Sequence, residues 1–260
     1  MPPKPMIAYV NVTRTFGRVV AVDGVSLDIA EGEFVAIVGG SGSGKTTLLR
    51  LTNRLIEADS GTITVDGEDV GRLDPVSLRR RIGYVFQSGS LFPHMSVADN
   101  IGITPKLLGA TASEITDRVD ELLALVRLDD GDYRNRRPEA LSGGQRQRVG
   151  VARALAAKPR IVLMDEPFGA LDPLTRDALG DDFRELHRKL GLTTVMITHD
   201  MTEAILLADR IAVMRSGRLL AQGTPAELSE SSDAYVLDLL RTPRRQVRRL
   251  NERLPSIGAA

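Results

Sequence analysis

The stretch Gly39-Gly40-Ser41-Gly42-Ser43-Gly44-Lys45-Thr46 follows the apolar run 34–38 and precedes the helix-forming run 47–51. A buried strand, a glycine-rich loop ending in Lys-Thr and a helix, in this order, are typical of a phosphate-binding loop. The glycines let backbone N–H groups point at phosphate oxygens, and the helix N-terminus adds a partial positive charge. Lys45 is placed to reach the β- and γ-phosphates, and Thr46 to ligate Mg²⁺. The stretch therefore predicts nucleoside triphosphate binding, since an ordinary glycine-rich turn would need all these features to coincide by accident.

The amino-acid composition limits which kinds of functional site this chain can contain. The chain has 260 residues, 42% of them hydrophobic, a formal net charge of zero and no cysteine. A sizeable buried core is expected, while disulfides, thiolate metal sites and cysteine nucleophiles are excluded. With no net charge, no global field attracts the chain to nucleic acid or to an anionic surface. The N-terminal residues 1–5 lack a signal-peptide core and no apolar run approaches the ~20 residues of a membrane span, so we expect a soluble protein.

Two further strands are predicted to end in polar residues beside the phosphate loop. The apolar run 161–164 leads into Asp165-Glu166, and the run 194–198 leads into His199-Asp200. Ligands of α/β sheets bind at the carboxyl ends of the strands. Asp165 can hold Mg²⁺ and Glu166 can polarise an attacking water, although an acidic turn is the alternative. Taken alone, a single histidine after a strand is more often structural.

Alternating apolar and polar residues between Met6 and Ile29 predict antiparallel strands joined by tight turns around Gly17 and Gly24. Phe16 lies beside the first turn, just upstream of the phosphate loop. Its position alone is compatible with a ring stacked on adenine and with a ring packed in the core.

The composition changes after Gln87, and residues 88–158 predict a helical subdomain inserted into the α/β core. Within it, residues 113–128 carry an apolar stripe of helical period. Another helix begins at Leu141-Ser142-Gly143-Gly144-Gln145, where a hydroxyl, free N–H groups and the helix dipole favour a phosphate. A single bound nucleotide, however, needs only one phosphate-binding site of this kind, and the loop at 39–46 already supplies it. The economical solution is a head-to-tail pair, in which this helix of one copy covers the triphosphate bound by the other.

The predicted tail, residues 241–260, carries six arginines up to Arg253. Val247, Leu250 and Leu254 could form one helical face. The tail is either solvated or in contact with anionic lipid or a partner, and the solvated alternative is favoured.

Together these motifs resemble the ATP-binding subunit of an ATP-binding cassette (ABC) transporter, over residues 6–240. The correspondence is with the family's Walker A loop at 39–46, Q-loop at Gln87, signature at 141–145, Walker B strand at 161–165 with catalytic Glu166, D-loop at Leu171-Asp172 and switch histidine at His199. Phe16 matches the aromatic platform for adenine, which favours the stacking alternative.

The resemblance implies a fold, cofactors and partners. The fold is α/β: a P-loop NTPase core with an antiparallel β subdomain and an inserted α-helical subdomain. The implied ligands are ATP and Mg²⁺. The implied partners are a second copy, forming a homodimer that sandwiches two ATP, and polytopic permease subunits at the cytoplasmic face of the membrane. An extracytoplasmic substrate-binding protein is an indirect partner, and nucleic acid is not expected.

The resemblance also assigns residues. The catalytic residues are Glu166, His199, Gln87 and Lys45. The metal ligands are Thr46, Gln87 and Asp165. The ATP-binding residues are Phe16, Gly39, Gly40, Ser41, Gly42, Ser43, Gly44, Lys45, Thr46, Thr47, Ser142, Gly143, Gly144 and Gln145.

A finer resemblance concerns the transported solute. Residues 53–57, 91–95, 101–108 and 165–173 resemble importers of quaternary amines such as glycine betaine, choline or carnitine. Many such cassettes carry a paired regulatory module, whereas only the arginine-rich tail is expected here, and residues 136–140 depart from the usual form. The alternatives are an importer of an amino acid or polyamine and a non-transport ABC ATPase, while intact Lys45 and Glu166, with Gln87 and His199, oppose a degenerate cassette.

Overall fold

A computed structural model describes residues 4–87, 90–128 and 132–254. The strands in these ranges are β1 (Ile7–Phe16), β2 (Val19–Ile29), β3 (Phe34–Val38), β4 (Ser60–Val65), β5 (Glu68–Asp69), β6 (Ile82–Val85), β7 (Ile161–Asp165), β8 (Thr193–Thr198), β9 (Arg210–Arg215) and β10 (Arg218–Gly223). The helices are α1 (Lys45–Thr52), α2 (Pro75–Arg81), α3 (Val97–Leu107), α4 (Ala112–Leu125), α5 (Gly143–Leu155), α6 (Pro173–Leu190), α7 (Met201–Leu207), α8 (Pro225–Ser229) and α9 (Ala234–Arg253).

One sheet of the described chain has six strands in the order β10-β9-β3-β8-β7-β6. All neighbouring pairs are parallel except β9 with β10. Parallel strands place their carboxyl ends at one edge of the sheet, where α/β proteins bind ligands. The order therefore brings the segments that follow β3, β6, β7 and β8 to a common edge. The predicted α/β fold class is confirmed.

The central strand β3 separates two hydrophobic cores. Phe34, Ala36 and Val38 face the core built with helices α3 to α7. Val35 and Ile37 face the core built with α1 and the first antiparallel strands. Successive side chains of a strand point to opposite faces, so a continuous apolar run is required when both faces are covered.

The second sheet is antiparallel, in the order β2-β1-β4-β5. The turn predicted at Gly17 joins β1 to β2. The turn predicted around Gly24 is wrong, because Gly24 lies inside β2. There it adopts φ 61°, its N–H donates to Thr13 Oγ1 at 3.1 Å, and the pairing with β1 shifts register nearby. A glycine with positive φ serves a β-bulge as well as a turn, which explains the ambiguity.

Helices α3, α4 and α5 lie between β6 and β7 in sequence, within the region 88–158 for which a helical subdomain is predicted. Residues 88, 89 and 129–131 of that region are outside the described residues. Helices α3 and α4 begin at capping boxes formed by Ser96 with Asp99 and by Thr111 with Glu114. Such boxes satisfy N–H groups that the first helical turn leaves free, and they fix where each helix begins.

Helix α9 continues through the boundary predicted at 240/241. Its first part is anchored by buried Val236 and Leu240, while Val247 and Leu250 in its second part, and Leu254 directly after it, are exposed. Residues 255–260 of the predicted tail are outside the described residues. Among the helices that the structure describes, none is long and apolar enough to cross a membrane.

The His187 side chain of α6 is buried against the six-stranded sheet. Its Nδ1 lies 3.0 Å from Thr194 Oγ1, and its ring centroid lies 5.1 Å from that of Phe34. Burial lowers the pKa of His187 below its ordinary value, with the Arg184 charge acting in the same direction. The folded chain therefore holds the imidazole in its neutral form at pH values where the unfolded chain binds a proton.

This shift predicts acid sensitivity. The unfolded state takes up a proton near pH 6.5 and the folded state does not, so the free energy of unfolding should fall as pH drops below that value. We expect urea unfolding at pH 7.5 and 5.5 to show a larger loss of stability for the wild type than for His187→Gln. The exposed His94, changed in His94→Gln, is the control and should behave as the wild type. Equal losses in wild type and His187→Gln would contradict the prediction.

Candidate active site

The predicted site residues meet at the carboxyl edge of the six-stranded sheet. The phosphate loop follows β3, Gln87 follows β6, Glu166 follows β7 and His199 follows β8. These four segments come from distant parts of the sequence, and the parallel order of the strands brings them side by side.

The loop backbone requires glycine at two positions. Gly39 has φ 155° and Gly44 has φ 98°. A Cβ atom on Gly39 would collide with the Met214 carbonyl oxygen, and one on Gly44 with that of Ala21. Any other residue would therefore be strained in conformation and displaced by its neighbours.

Lys45 folds back over the loop. Its Nζ donates to the carbonyl oxygens of Gly39 at 2.8 Å and Gly40 at 2.9 Å. Burial lowers the pKa of Lys45, while the nearby carboxylates of Glu166 and Asp165 oppose that shift. The ammonium thus lies inside the loop, where it can meet an anionic phosphate in place of the carbonyls.

Thr46 and Asp165 form the pair with the chemistry for Mg²⁺. Thr46 Oγ1 donates to Asp165 Oδ1 at 3.0 Å. Asp165 is buried, and burial raises its pKa, so a cation beside it would stabilise the carboxylate. Within the described ranges no group of three or more His, Cys, Asp or Glu side chains could hold a metal ion. Mg²⁺ is commonly bound by one or two protein oxygens together with substrate phosphates, and this pair fits that mode.

Glu166 is the point on which two other predicted residues converge. Gln87 Nε2 donates to Glu166 Oε2 at 2.9 Å, and His199 Nδ1 lies 3.4 Å from the same oxygen. Glu166 has φ 47° and its N–H donates to Ile197 O at 3.0 Å. A left-handed backbone at a non-glycine residue costs about 1–3 kcal/mol, and such residues are enriched at active sites. In this arrangement the amide nitrogen of Gln87 faces Glu166, so its role as a metal ligand stays a prediction.

Phe16 ends β1 with 46% of its surface exposed. The Arg14 guanidinium lies 4.7 Å from its ring centroid. The ring is not part of the core, and a face is accessible to a flat ligand.

The signature residues lie at the start of α5. Ser142 Oγ accepts from the Gln145 N–H at 3.2 Å, and Gln145 Oε1 accepts from the Ser142 N–H at 2.8 Å. None of the hydrogen bonds found among the described residues joins this segment to the phosphate loop. Within a single copy, the N–H groups of Gly143 and Gly144 and the hydroxyl proton of Ser142 are therefore not directed to the phosphate loop of the same copy.

The sequence analysis missed contacts that hold the loop from outside. Tyr235 of α9 accepts a hydrogen bond from the Gly40 N–H at 3.0 Å, and its ring lies 4.8 Å from the Arg215 guanidinium. Gly217 N–H donates to Ser43 O at 3.1 Å. No local pattern marks Tyr235, because 195 residues separate it from its partner.

Comparisons with known protein families and with individual proteins agree with one another. A family model described as ABC transporter matches residues 22–169. A glycine betaine/carnitine/choline transport ATP-binding protein of Bacillus subtilis is 53% identical over 208 residues, covering 80% of this chain and 54% of the relative. A choline transport ATP-binding protein of the same organism is 49% identical, with 90% of this chain and 62% of the relative covered. The chain thus spans little more than half the length of these two relatives.

A glycine betaine uptake system ATP-binding protein of Escherichia coli is 50% identical over 220 residues, covering 85% of this chain and 71% of the relative. Among solved structures, a dimeric ATP-binding cassette in a post-hydrolysis state with ADP and Pi matches with a TM-score of 0.78 and 33% identity, covering 84% of this chain and 98% of that one. A dimeric bacterial ABC transporter cassette matches with a TM-score of 0.79, 35% identity and the same coverage.

Proposed function

Since this chain belongs to the ABC transporter family, we propose that it is the ATP-binding and ATP-hydrolysing subunit of an ABC importer. The observation that carries the proposal is the convergence of Gln87 and His199 on Glu166, beside a phosphate loop with a buried lysine. The test is phosphate release by the purified chain with ATP and Mg²⁺. A Lys45→Ala variant should lose this activity, and an inactive wild type would overturn the proposal.

The residues divide the reaction between binding and chemistry. The loop N–H groups and Lys45 hold the triphosphate, and Mg²⁺ held by Thr46 and Asp165 would neutralise charge on the phosphate oxygens. Glu166 takes a proton from the attacking water as the water oxygen bonds to the γ-phosphorus. The bond from the γ-phosphorus to the bridging oxygen breaks, and ADP and phosphate leave. Gln87 and His199 orient the Glu166 carboxylate and the water.

We propose a homodimer that sandwiches two ATP molecules. Each nucleotide lies between the phosphate loop of one copy and the Ser142-Gly143-Gly144 segment of the other. The support is that this segment makes no hydrogen bond to the loop of its own copy among the described residues, and that the two similar solved structures are dimers.

The exposed ring of Phe16 leads to a prediction on ATP affinity. A ring stacked on adenine contributes about 1–3 kcal/mol, so Phe16→Ala should weaken ATP binding roughly 5- to 150-fold. The phosphate contacts stay intact, so the melting temperature should stay close to that of the wild type. Calorimetric titration with ATP measures the affinity, and Val10→Ala, which trims another exposed apolar residue of β1, is the control. Unchanged affinity would overturn the stacking assignment, and a sharply lower melting temperature would show that the ring supports the fold.

A groove beside Phe92 is the proposed docking surface for a permease subunit. It has a volume of about 440 Å³ and is lined mainly by apolar side chains, among them Tyr84, Phe86, Ile103 and Leu107, together with Arg79, Arg80 and Arg153. An exposed apolar surface of this kind indicates a partner. The proposed location is accordingly the cytoplasmic face of the membrane, with an extracytoplasmic binding protein as an indirect partner.

The proposed solute is a quaternary amine such as glycine betaine, choline or carnitine. The support is that three relatives described above are transport or uptake ATP-binding proteins for glycine betaine, carnitine or choline. A second candidate is another small solute, because a sulfate/thiosulfate import ATP-binding protein of Nocardia farcinica is also 45% identical over 236 residues. Uptake of radiolabelled betaine, choline, carnitine and sulfate in a strain lacking this chain would decide between them.

A further inference from the structure

We propose that Arg176 is a positioning residue that ties the Leu171-Asp172 turn to His199, so that the two move together during the proposed hydrolysis. The inference rests on the proposed function, because it concerns how the site around Glu166 is assembled. Arg176 lies on the first turns of α6 and contacts neither the phosphate loop nor Glu166 among the described contacts.

The guanidinium of Arg176 reaches three groups on two segments. Nη2 donates to Leu171 O at 3.3 Å. Nη1 donates to Asp200 Oδ2 at 3.5 Å, and Nε, which makes no hydrogen bond among the described residues, lies in ion-pair contact 3.6 Å from Glu203 Oε1. A planar guanidinium can hold several acceptors in one fixed geometry, which a flexible point charge cannot do. One side chain therefore joins the turn before α6 to the segment that begins α7.

The contacts continue on both sides of His199. The buried Glu203 accepts a hydrogen bond from Thr198 Oγ1 at 2.6 Å, and Thr198 Oγ1 accepts one from the Asp200 N–H at 3.0 Å. The residues before and after His199 are thus both held by the network. His199 itself is largely exposed and lies 3.4 Å from Glu166 Oε2. Since its own side chain is little constrained by packing, its position depends on this backbone.

The Arg176 network also contacts the Ser142-Gly143-Gly144 segment, which is proposed to bind the nucleotide held by the second copy. A Cβ atom built on Gly144 would lie 3.2 Å from Leu171 Cδ2, so the start of α5 packs closely on Leu171. A shift of the signature segment would therefore move Leu171, and Arg176 would transmit it to Asp200 and Glu203. This gives a physical route from docking of the second copy to the placement of His199.

The burial of Glu203 indicates that the network around Arg176 does more than form a surface ion pair. Burial raises the pKa of Glu203, while the Thr198 hydroxyl and the Arg176 charge oppose the shift. A partly buried carboxylate of this kind stabilises a fold only weakly in comparison with an apolar side chain of similar size. The network is better suited to fix a geometry than to add stability.

The test is steady-state hydrolysis of ATP with Mg²⁺ by the full chain and by Arg176→Gln, Glu203→Gln and the double variant. A misplacement of about 1 Å can cost roughly 100-fold in rate, so kcat should fall roughly 10- to 100-fold in each single variant while KM for ATP stays within about twofold. The double variant should be no slower than the slower single variant, because both break the same network.

The matched control is Arg184→Gln. Arg184 is on the same helix and pairs with a carboxylate, Asp209, in the segment that follows α7. Its loss should lower the melting temperature and leave kcat within about twofold. If Arg176→Gln is too unstable to assay, Thr198→Val removes only the hydroxyl that links Glu203 to the Asp200 N–H, and it should also lower kcat without raising KM.

The outcomes separate the inference from the proposed function. An active wild type with unchanged kcat in Arg176→Gln or Thr198→Val would overturn the inference and leave the function standing. Rate losses that multiply in the double variant would also overturn it, because independent sites add their free-energy effects. A wild type that does not hydrolyse ATP would overturn both.

Discussion

Replacement of Glu166 by Gln is expected to lower ATP hydrolysis ~10²–10⁴-fold while ATP binding is preserved. Gln has nearly the shape of Glu but cannot accept the proton of the attacking water. The groups proposed to hold the triphosphate are unaffected, because Lys45 and Thr46 make their contacts elsewhere. The variant should therefore bind ATP with wild-type affinity but hydrolyse it slowly. The ATP-bound dimer should accumulate, because hydrolysis no longer removes the ATP that holds it together.

Size-exclusion chromatography with and without ATP measures this accumulation. Glu166→Gln should run as a dimer only with ATP, and adding Ser142→Arg should abolish the dimer by filling the shared site with a bulky side chain. Glu185→Gln, a change at an exposed position of α6, is the control and should keep wild-type hydrolysis. A monomer at saturating ATP, with binding verified by titration, would count against the sandwich. Near-normal hydrolysis would remove Glu166 from the role of base and favour attack assisted by the phosphate itself.

The part of the site that follows from local pattern could be predicted from sequence. The strand, loop and helix around Gly39–Thr46 have their chemistry in one continuous stretch, and positive φ at Gly39 and Gly44 agrees with the need for glycine. The approach of Gln87 to Glu166 spans 79 residues. This contact could still be predicted from the sequence, because each of the two residues follows a buried strand and parallel strands end at one edge of the sheet.

Contacts that depend on where a helix docks against other elements could not be predicted. The hydrogen bond from Gly40 to Tyr235 depends on where α9 docks, and no periodicity encodes that position. The network around Arg176 depends in the same way on the packing of α6 against α7. Such contacts follow from three-dimensional packing, which hydrophobic pattern constrains only at the level of which face is buried.

Helix α9 continues past a residue that ordinarily interrupts a helix. Pro243 lies inside the helix although proline removes a backbone hydrogen bond. In the interrupted turn, the Asp238 carbonyl oxygen accepts from Thr242 Oγ1 at 2.8 Å and from Arg245 Nη2 at 3.2 Å. Pro243 has no N–H to donate to the Leu239 carbonyl oxygen, and these side-chain donors bond to the neighbouring carbonyl instead, yet the helix continues to Arg253.

The second large effect is expected at Phe92, where a negative charge should abolish transport and spare hydrolysis. Phe92 is 44% exposed on the proposed docking groove. The loop backbone does not depend on its ring, because the buried Asn100 side chain accepts from the Phe92 N–H at 2.8 Å and donates to the Phe92 carbonyl oxygen at 3.1 Å. A substitution there changes the surface offered to a partner while the loop stays in place.

Phe92→Glu removes the apolar contact of the ring and places on the groove a hydrated carboxylate that must be desolvated when a partner binds, so it should reduce solute uptake by more than about tenfold. ATP hydrolysis by the isolated chain should remain within about twofold of wild type, since Phe92 is outside the site built around Glu166. Uptake in a strain lacking the chain and phosphate release by the purified variant give the two measurements. Leu190→Glu, at an apolar residue of similar exposure on α6 (48%), is the control and should leave both unchanged. Equal loss of uptake and hydrolysis in Phe92→Glu would show that the loop supports the site itself, and the docking surface would have to be sought elsewhere.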